Sequence, residues 1–529
     1  MLFLFTPTIA SLRLSNHMFD RPPKYIAYGT AGFRDNAADL DTIVYRVGLV
    51  AAMRSRYLGK TVGVMITASH NPPEDNGAKI IDPLGDMLQE SWESRVAEIC
   101  NAQTDSECVD LLKKSYLELK IPDGQVSNVV YGRDTRASGP RLAEALQAGL
   151  LRAESSSTDF GLVTTPQLHY ITRCINDPTF GEPTVDGYFK KISSAFSKLT
   201  PRSPLTRSSV TVDCANGVGA VKLLEMMPYI NDLAELNLVN VQYTDPDSLN
   251  VECGADYVKT NQHLPKNVQP EHDKLCCSLD GDADRIVFYL VHDGNFCLLD
   301  GDKIASLAAG FFRRFQEDSE HTGELEKPID IGVVQTAYAN GSSTNYIKSD
   351  LHLPVDCTKT GVKHLHHVAQ KYGIGIYFEA NGHGTVLFNQ DRISDNHVHS
   401  DVLNLYAELV NQTVGDAISD LFLVLAILET LNITAYDWFM QYVDLPNKLM
   451  KTRVKDRNVF KTTDAERRLV NPEDVQQKID ELVRNTPQGR CFVRASGTED
   501  VVRVYAEAQT QESCDALAKE VCNYIAANY

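Results

Sequence analysis

Short apolar runs alternating with polar, glycine-rich turns set the pattern of most of this chain. Val62-Gly63-Val64-Met65-Ile66 is continuously apolar and reads as a buried strand. Comparable runs predict strands over 126–131, 210–213, 275–279, 331–334 and 375–378. Helices are expected over 89–102, over 140–152 with Pro140 at the first helical position, and over 416–431, which is apolar enough to be buried. Strand, Asn/Gly/Ser-rich turn and helix recur roughly every 80 to 120 residues, which suggests repeated α/β domains with largely parallel sheets. The last stretch reads differently. After an apparent linker at 446–457 come a helix (472–484), two strands (489–494 and 501–509) joined by a short turn, and a helix (511–528) carrying Leu517, Val521, Tyr524 and Ile525 on one face.

Composition bounds the answer. The chain has 529 residues, 43% hydrophobic and 23% charged, which fits a globular protein of about three to four domains. A formal charge of −19 argues against nucleic acid or an anionic membrane as the main partner. A small anionic substrate then needs a local basic cluster. No apolar run approaches the roughly 20 residues of a membrane span, and the apolar start Met1-Leu2-Phe3-Leu4-Phe5 lacks a charged leader. The twelve cysteines show no paired zinc spacing, so reduced thiols and a cytoplasmic setting are expected. The Asn-X-Ser/Thr matches at Asn340, Asn411 and Asn432 then read as chance.

Five stretches carry candidate chemistry, and each alone also reads as an ordinary turn. In Thr67-Ala68-Ser69-His70-Asn71-Pro72-Pro73-Glu74-Asp75-Asn76-Gly77-Ala78-Lys79 the prolines forbid helix and the Asn-Gly pair is expected to turn the chain. The result is a stiff loop presenting Ser69 as a nucleophile, with His70 beside it and Lys79 on its far side. An earlier glycine loop over 28–34 carries Arg34 toward an anion. Asp280-Gly281-Asp282-Ala283-Asp284-Arg285 puts three carboxylates at alternate positions after a strand, on one side of an extended loop. Such charges repel unless a cation compensates them, and hard oxygen ligands suit Mg²⁺. Arg285 is placed to neutralise a phosphate beside the metal.

Lys363 precedes a helix as another candidate anion ligand. Glu379-Ala380-Asn381-Gly382-His383-Gly384 offers hydrogen-bonding groups suited to sugar hydroxyls and amides. At the C-terminal turn Arg494, Ala495, Ser496, Gly497, Thr498 and Arg503 combine two guanidiniums, two hydroxyls and a glycine turn, a good phosphate clamp.

In this order the stretches resemble the α-D-phosphohexomutase superfamily over nearly the whole chain from Tyr28 on, most specifically at 67–79, 280–285 and 494–503. The wording of 379–384, with Asp213-Cys214-Ala215-Asn216-Gly217-Val218-Gly219, looks most like the eukaryotic phosphoacetylglucosamine mutase family. The resemblance implies an α/β fold of four domains around a central cleft, three similar α/β domains with mixed, mainly parallel sheets and a smaller C-terminal α+β domain. Their expected spans are 1–184 (serine loop), 185–303 (metal), 304–445 (sugar) and 446–529 (phosphate). It implies Mg²⁺ held by Asp280, Asp282, Asp284 and a phosphoserine at Ser69. It further implies interconversion of N-acetylglucosamine 6-phosphate and 1-phosphate through a 1,6-bisphosphate, in supply of UDP-N-acetylglucosamine. Glu379, Ala380 and Asn381 would bind the sugar, and the C-terminal clamp the non-reacting phosphate. Arg34, His70, Lys79, Arg285, Lys363 and His383 complete the expected site, with His70 and Lys79 as alternative proton carriers. A phosphoglucomutase or phosphomannomutase, a metal-serine phosphatase and a silent sugar-phosphate sensor are the competing readings.

Overall fold

A computed structural model describes residues 22–29, 32–200, 208–269, 271–322, 328–394, 400–496 and 500–529. These fall into two compact units, one within Met1–Leu298 and Leu405–Thr430, the other within Leu299–Asn404 and Leu431–Tyr529.

The first unit holds two sheets. One is built from β1 (Tyr28–Gly29), β2 (Gly32–Asn36), β3 (Val62–Ile66), β4 (Asp75–Ile81), β5 (Asn128–Arg133) and β6 (Ser156–Leu162), in the order β1-β2-β4-β3-β5-β6. The other contains β7 (Ser208–Asp213), β8 (Ala234–Val239), β9 (Cys276–Leu279), β10 (Ile286–His292) and β11 (Asn295–Leu299), in the order β11-β10-β9-β7-β8. The apolar runs become the central strands: all five residues of β3 and all four of β9 are buried. The helix Ala417–Leu431 belongs to this unit. Its residues 417–428 are buried, with Phe422 packed edge-on against Phe196 at 5.0 Å, as its predominantly apolar sequence requires.

In the second unit β12 (Ile331–Thr336), β13 (Val355–Thr358), β14 (Ile374–Phe378) and β15 (Gly384–Phe388) form a sheet ordered β13-β12-β14-β15. A smaller antiparallel sheet follows. Of β16 (Asn447–Arg453), β17 (Lys461–Thr463), β18 (Arg468–Asn471), β19 (Arg490–Ala495) and β20 (Val501–Glu507), it takes three in the order β16-β20-β19, and β17 pairs with β18. The helices Glu473–Arg484 and Gln511–Asn528 bury Val475, Ile479, Leu517, Val521 and Ile525 in one core with Val493, Val502 and Val504.

Three expectations need correction. The segment 67–79 is a loop only in its first half. Asp75–Ile81 is strand β4, paired antiparallel with both β2 and β3, so Asn76-Gly77 lies inside a strand. Gly77 is there because the backbone of Thr67 crowds it: a Cβ would lie 2.7 Å from the Thr67 carbonyl oxygen. The supposed linker contains β16, whose exposed, lysine-rich face disguises an edge strand. The sheets are mixed rather than dominantly parallel. In each of the three larger ones a parallel trio (β3-β5-β6, β9-β7-β8, β14-β12-β13) carries an antiparallel neighbour (β4, β10, β15). The turns β3–β4, β9–β10 and β14–β15 therefore connect equivalent strands, and they carry Ser69, the three aspartates and Glu379–His383 respectively.

Candidate active site

Ser69 follows β3 in the left-handed region, at φ 54°, and is fully buried. Such backbone costs free energy in a non-glycine residue and persists only where its surroundings enforce it. Here the enforcement is explicit. The Ser69 amide donates to Thr67 Oγ1 at 3.0 Å, and Thr67 donates to Asp134 at 2.7 Å. Arg136, 1% exposed, donates to the carbonyls of Ser69, Asn71, Pro72 and Asp75 and to the Asp134 carboxylate. Asn250 adds a bond to the Ser69 carbonyl at 3.0 Å. That carbonyl abuts Gly281, where a Cβ would sit 2.6 Å away, so only glycine fits the approach of the two loops.

The serine hydroxyl points at the aspartates. Ser69 Oγ donates to Asp280 Oδ2 at 2.6 Å and lies 3.4 Å from His70 Nδ1. Asp280, Asp282 and Asp284 are all buried, and their ligand oxygens lie within 4.8 Å of one another. They converge through a tight turn rather than the extended alternation expected. Ala283 has φ 58°, its amide donates to the Asp280 carbonyl, and the amides of Asp284 and Arg285 donate to Asp280 Oδ1 at 3.0 and 3.2 Å.

Three helices start on this turn. Val218 N donates to the Gly281 carbonyl, Thr165 N to that of Asp282 and Ala417 N to that of Ala283, each at 3.1 Å. These residues open the helices Val218–Ile230, Thr165–Asn176 and Ala417–Leu431. Unsatisfied first-turn amides of three helices thus meet three successive carbonyls, and three positive dipole ends gather near the carboxylates. Thr165 also donates its hydroxyl to Asp282 Oδ2 at 2.5 Å, and Lys79 lies 3.4 and 3.3 Å from Asp282 and Asp284.

The electrostatics divide the trio. Burial, then Asp284 and Asp282, push the Asp280 carboxyl well above the usual carboxylate range. Burial pushes Asp282 upward too, but Lys79, the Thr165 hydroxyl and Arg34 outweigh it and hold that carboxyl low. Burial and Arg285 push the His70 imidazole down to about 4, so it is neutral at pH 7. Arg34, on β2, has a buried Nε with no hydrogen-bond partner among the described residues and feels the same three aspartates. Arg285 pairs with Asp256 at 2.7 Å and stands 4.0 and 3.9 Å from Asp280 and Asp284. Asp282 Oδ1 is buried with no hydrogen-bond partner among the described residues. A desolvated carboxylate oxygen of that kind calls for a cation, and an all-oxygen donor set fits Mg²⁺.

The second unit gathers the remaining candidates among its described residues. In the β14–β15 turn, Gly382 has φ 85°, Asn381 Oδ1 accepts from the His383 amide at 3.0 Å, and Asn381 Nδ2 lies 3.4 Å from Glu379 Oε2. Glu379 Oε1 accepts from the Gly361 amide at 3.0 Å. Ala380 is half-buried beside them, and His383 is 6% exposed. The neighbouring Thr360 accepts from Arg494 Nη1 at 2.5 Å and donates its amide and hydroxyl to Glu466, both at 2.9 Å. The sugar-loop carboxylate and the first clamp arginine thus meet at adjacent residues. Arg494 pairs across the β19–β20 hairpin with Arg503, Ala495 with Val502, and the Ser496 amide bonds the Val501 carbonyl. Arg494 Nε and Arg503 Nε are buried without hydrogen-bond partners among the described residues, beside the buried Tyr338 hydroxyl. Gly497 and Thr498 lie outside the described residues. Lys363 is half-buried in the first turn of the helix Val362–Ala369, two residues after Gly361.

Sequence reasoning missed Arg136, Asp134, Thr165, Thr360 and Glu466. Nothing in the sequence around these positions ties them to their distant partners.

Comparisons with known proteins follow the same segments. Family models described as "Phosphoglucomutase/phosphomannomutase, alpha/beta/alpha domain I" and "C-terminal domain" match residues 37–107 with 103–180, and 449–523. Those described as "Phosphoacetylglucosamine mutase AMG1", domains II and III, match 184–287 and 300–433. Phosphoacetylglucosamine mutase of Candida albicans is 50% identical over 523 residues, covering 94% of this chain and 96% of that one. The human enzyme is 46% identical over 515 residues, at 94% and 93%. Among solved structures, an N-acetylglucosamine-phosphate mutase in its product complex superposes with TM-score 0.92 at 49% identity, covering 96% and 97%. The Aspergillus fumigatus N-acetylphosphoglucosamine mutase in complex with GlcNAc-6P and magnesium gives 0.90 at 46%, covering 96% of each chain. Relatives 46–50% identical along more than nine-tenths of both chains place this chain in the phosphoacetylglucosamine mutase family.

Proposed function

We propose that the protein interconverts N-acetylglucosamine 6-phosphate and N-acetylglucosamine 1-phosphate, with Ser69 as the phosphate carrier. The observation that carries this reading is the 2.6 Å contact of Ser69 Oγ with Asp280 inside the three-aspartate turn. The solved relative in complex with GlcNAc-6P and magnesium supports both the sugar and the cation.

The phosphate on Ser69 moves to the free hydroxyl of the sugar phosphate: a new P–O bond forms at the sugar and the bond to Ser69 Oγ breaks. The resulting 1,6-bisphosphate returns its other phosphate to Ser69 in the reverse sense, leaving the isomer. Asp280, Asp282, Asp284 and a phosphoserine oxygen would hold Mg²⁺, which when bound neutralises charge on the transferring oxygens. Arg34 and Arg285 add positive charge at the same place, and Lys79 balances Asp282 and Asp284. His70, neutral and 3.4 Å from Ser69 Oγ, would accept the hydroxyl proton as the serine is phosphorylated and return one as the serine is released.

Glu379, Ala380, Asn381 and His383 bind the sugar in this reading, and the small Ala380 with the Asn381 amide suits an N-acetyl group. Arg494, Ala495, Ser496, Gly497, Thr498 and Arg503, with Lys363 nearby, hold the phosphate that is not reacting. A binder needs no serine and a phosphatase needs no second phosphate clamp, which is why the mutase reading outranks both. A cytosolic setting goes with it, supported by twelve unbridged cysteines, eleven of them buried. There the product feeds UDP-N-acetylglucosamine synthesis.

A coupled assay comparing N-acetylglucosamine 6-phosphate with glucose and mannose 6-phosphates tests the reading. The acetylated sugar is expected to give the highest kcat/KM, and Ser69→Ala is expected to abolish turnover. Equal use of all three sugars would remove the substrate assignment, and an active Ser69→Ala protein the phosphoserine one.

A further inference from the structure

A second cluster of metal-ligating side chains lies at the outer end of the β9–β10–β11 sheet, and no step of the reaction uses it. Among the described residues, His272, Asp273 and His292 are the one group besides the three aspartates whose ligand atoms lie within 4.8 Å of one another. Both imidazoles present the same edge to Asp273. His292 Nδ1 is 2.6 Å from its Oδ1 and His272 Nδ1 is 3.1 Å from its Oδ2. Both turn their other nitrogen to a second carboxylate: His272 Nε2 is 3.2 Å and His292 Nε2 is 3.6 Å from Asp293. The rings stand 5.1 Å apart.

Main-chain structure fixes this arrangement. Asp293-Gly294, at φ 47° and 78°, is a two-residue turn between β10 and β11, of the kind that Asp-Gly favours. His272 bridges to Val291, and the Asp273 amide donates to the Val291 carbonyl at 2.9 Å. Two His-Asp dipeptides are therefore held side by side on hydrogen-bonded backbone, which is preorganisation.

We propose that His272 Nδ1, His292 Nδ1 and an Asp273 oxygen bind a borderline transition-metal dication of the Zn²⁺ or Co²⁺ kind. Two imidazoles with one carboxylate select such ions over Mg²⁺. Ligands of a tetrahedral ion lie about 3.4 Å apart at Zn–N and Zn–O lengths of about 2.1 Å, so the three donors need only small rotamer adjustments. Asp293 stands 3.2 Å from His272 Nε2, where it can accept that ring's proton when Nδ1 ligates. The side chains of His272 and Asp293 are 60% and 75% exposed, so the ion exchanges with solvent and a water completes its shell.

The Mg²⁺-saturated full-length protein titrated with Co²⁺, followed by visible absorption and calorimetry, tests the site. The wild type is expected to bind one equivalent that Asp282→Asn retains and that His272→Asn with His292→Gln loses. Asp293→Asn should weaken it about tenfold. The surface variants should keep wild-type mutase activity and apparent Tm. Undiminished Co²⁺ binding in the double histidine variant overturns the assignment, as does a wild type whose Co²⁺ binding vanishes entirely in Asp282→Asn.

Discussion

Thr165 shows how far a single hydroxyl reaches in this site. It gives its amide to the Asp282 carbonyl and its hydroxyl to the Asp282 carboxylate, leaving the other carboxylate oxygen buried and uncommitted. Thr165→Val keeps the shape and deletes the hydroxyl. We expect kcat to fall about 10- to 100-fold and half-saturating Mg²⁺ to rise, with KM for the sugar phosphate unchanged. An altered KM with unchanged Mg²⁺ dependence would separate Thr165 from the metal turn. Arg136 acts on the serine side, satisfying four carbonyls while its charge pairs with Asp134, itself 1% exposed. Arg136→Met leaves that carboxylate buried without its cation, a loss of about 3–5 kcal/mol that should lower the apparent Tm by on the order of 10 °C. Ser69, the aspartates and the polar runs 379–384 and 494–503 stood out because each is short and chemically dense. Thr165, Arg136 and Glu466 did not, because their partners lie far away in sequence and no local pattern records a tertiary hydrogen bond.

Elements were legible where burial shaped composition. The strands β3, β9 and β14 are buried throughout, and the helix Ala417–Leu431 is predominantly apolar. Strand β4 was not legible, since Asp75-Asn76-Gly77 reads as a turn until the backbones of Phe33 and Thr67 close around it. Asp416 caps the helix Ala417–Leu431, accepting from the amides of Ile418 and Ser419 and from Asn411 and Tyr188. Burial nevertheless pushes its carboxyl up to about 6. A carboxyl raised above its unfolded value takes up a proton on folding, so its contribution is full below about pH 4 and is lost as pH rises through about 6. That contribution is on the order of 3 kcal/mol. Apparent Tm measured from pH 5 to 7.5 should therefore fall less steeply in Asp416→Asn than in the wild type. Parallel profiles would mean that Asp416 stays ionised throughout.

At the scale of the whole molecule, a chain of net charge −19 handles a dianionic sugar phosphate by concentrating positive charge locally. Arg34, Lys79 and Arg285 stand around the aspartates of one unit, and Arg494 and Arg503 pair in the other. This separation predicts that chelating Mg²⁺ abolishes turnover while calorimetric affinity for N-acetylglucosamine 6-phosphate drops by no more than about threefold. A collapse of binding on chelation would show that the cation, not the arginines, holds the resting substrate.

The turn at Gly281–Ala283, with a helix starting on each of its three carbonyls, also dictates when chemistry becomes possible during biogenesis. Those helices begin at residues 165, 218 and 417, so the turn must wait for most of the polypeptide to leave the ribosome. Contacts so remote in sequence are slow to close. A chain truncated before Ala417 is therefore expected to lose one of the three amides that hold the turn, and with it phosphorylation of Ser69, which mass spectrometry of the truncated protein checks.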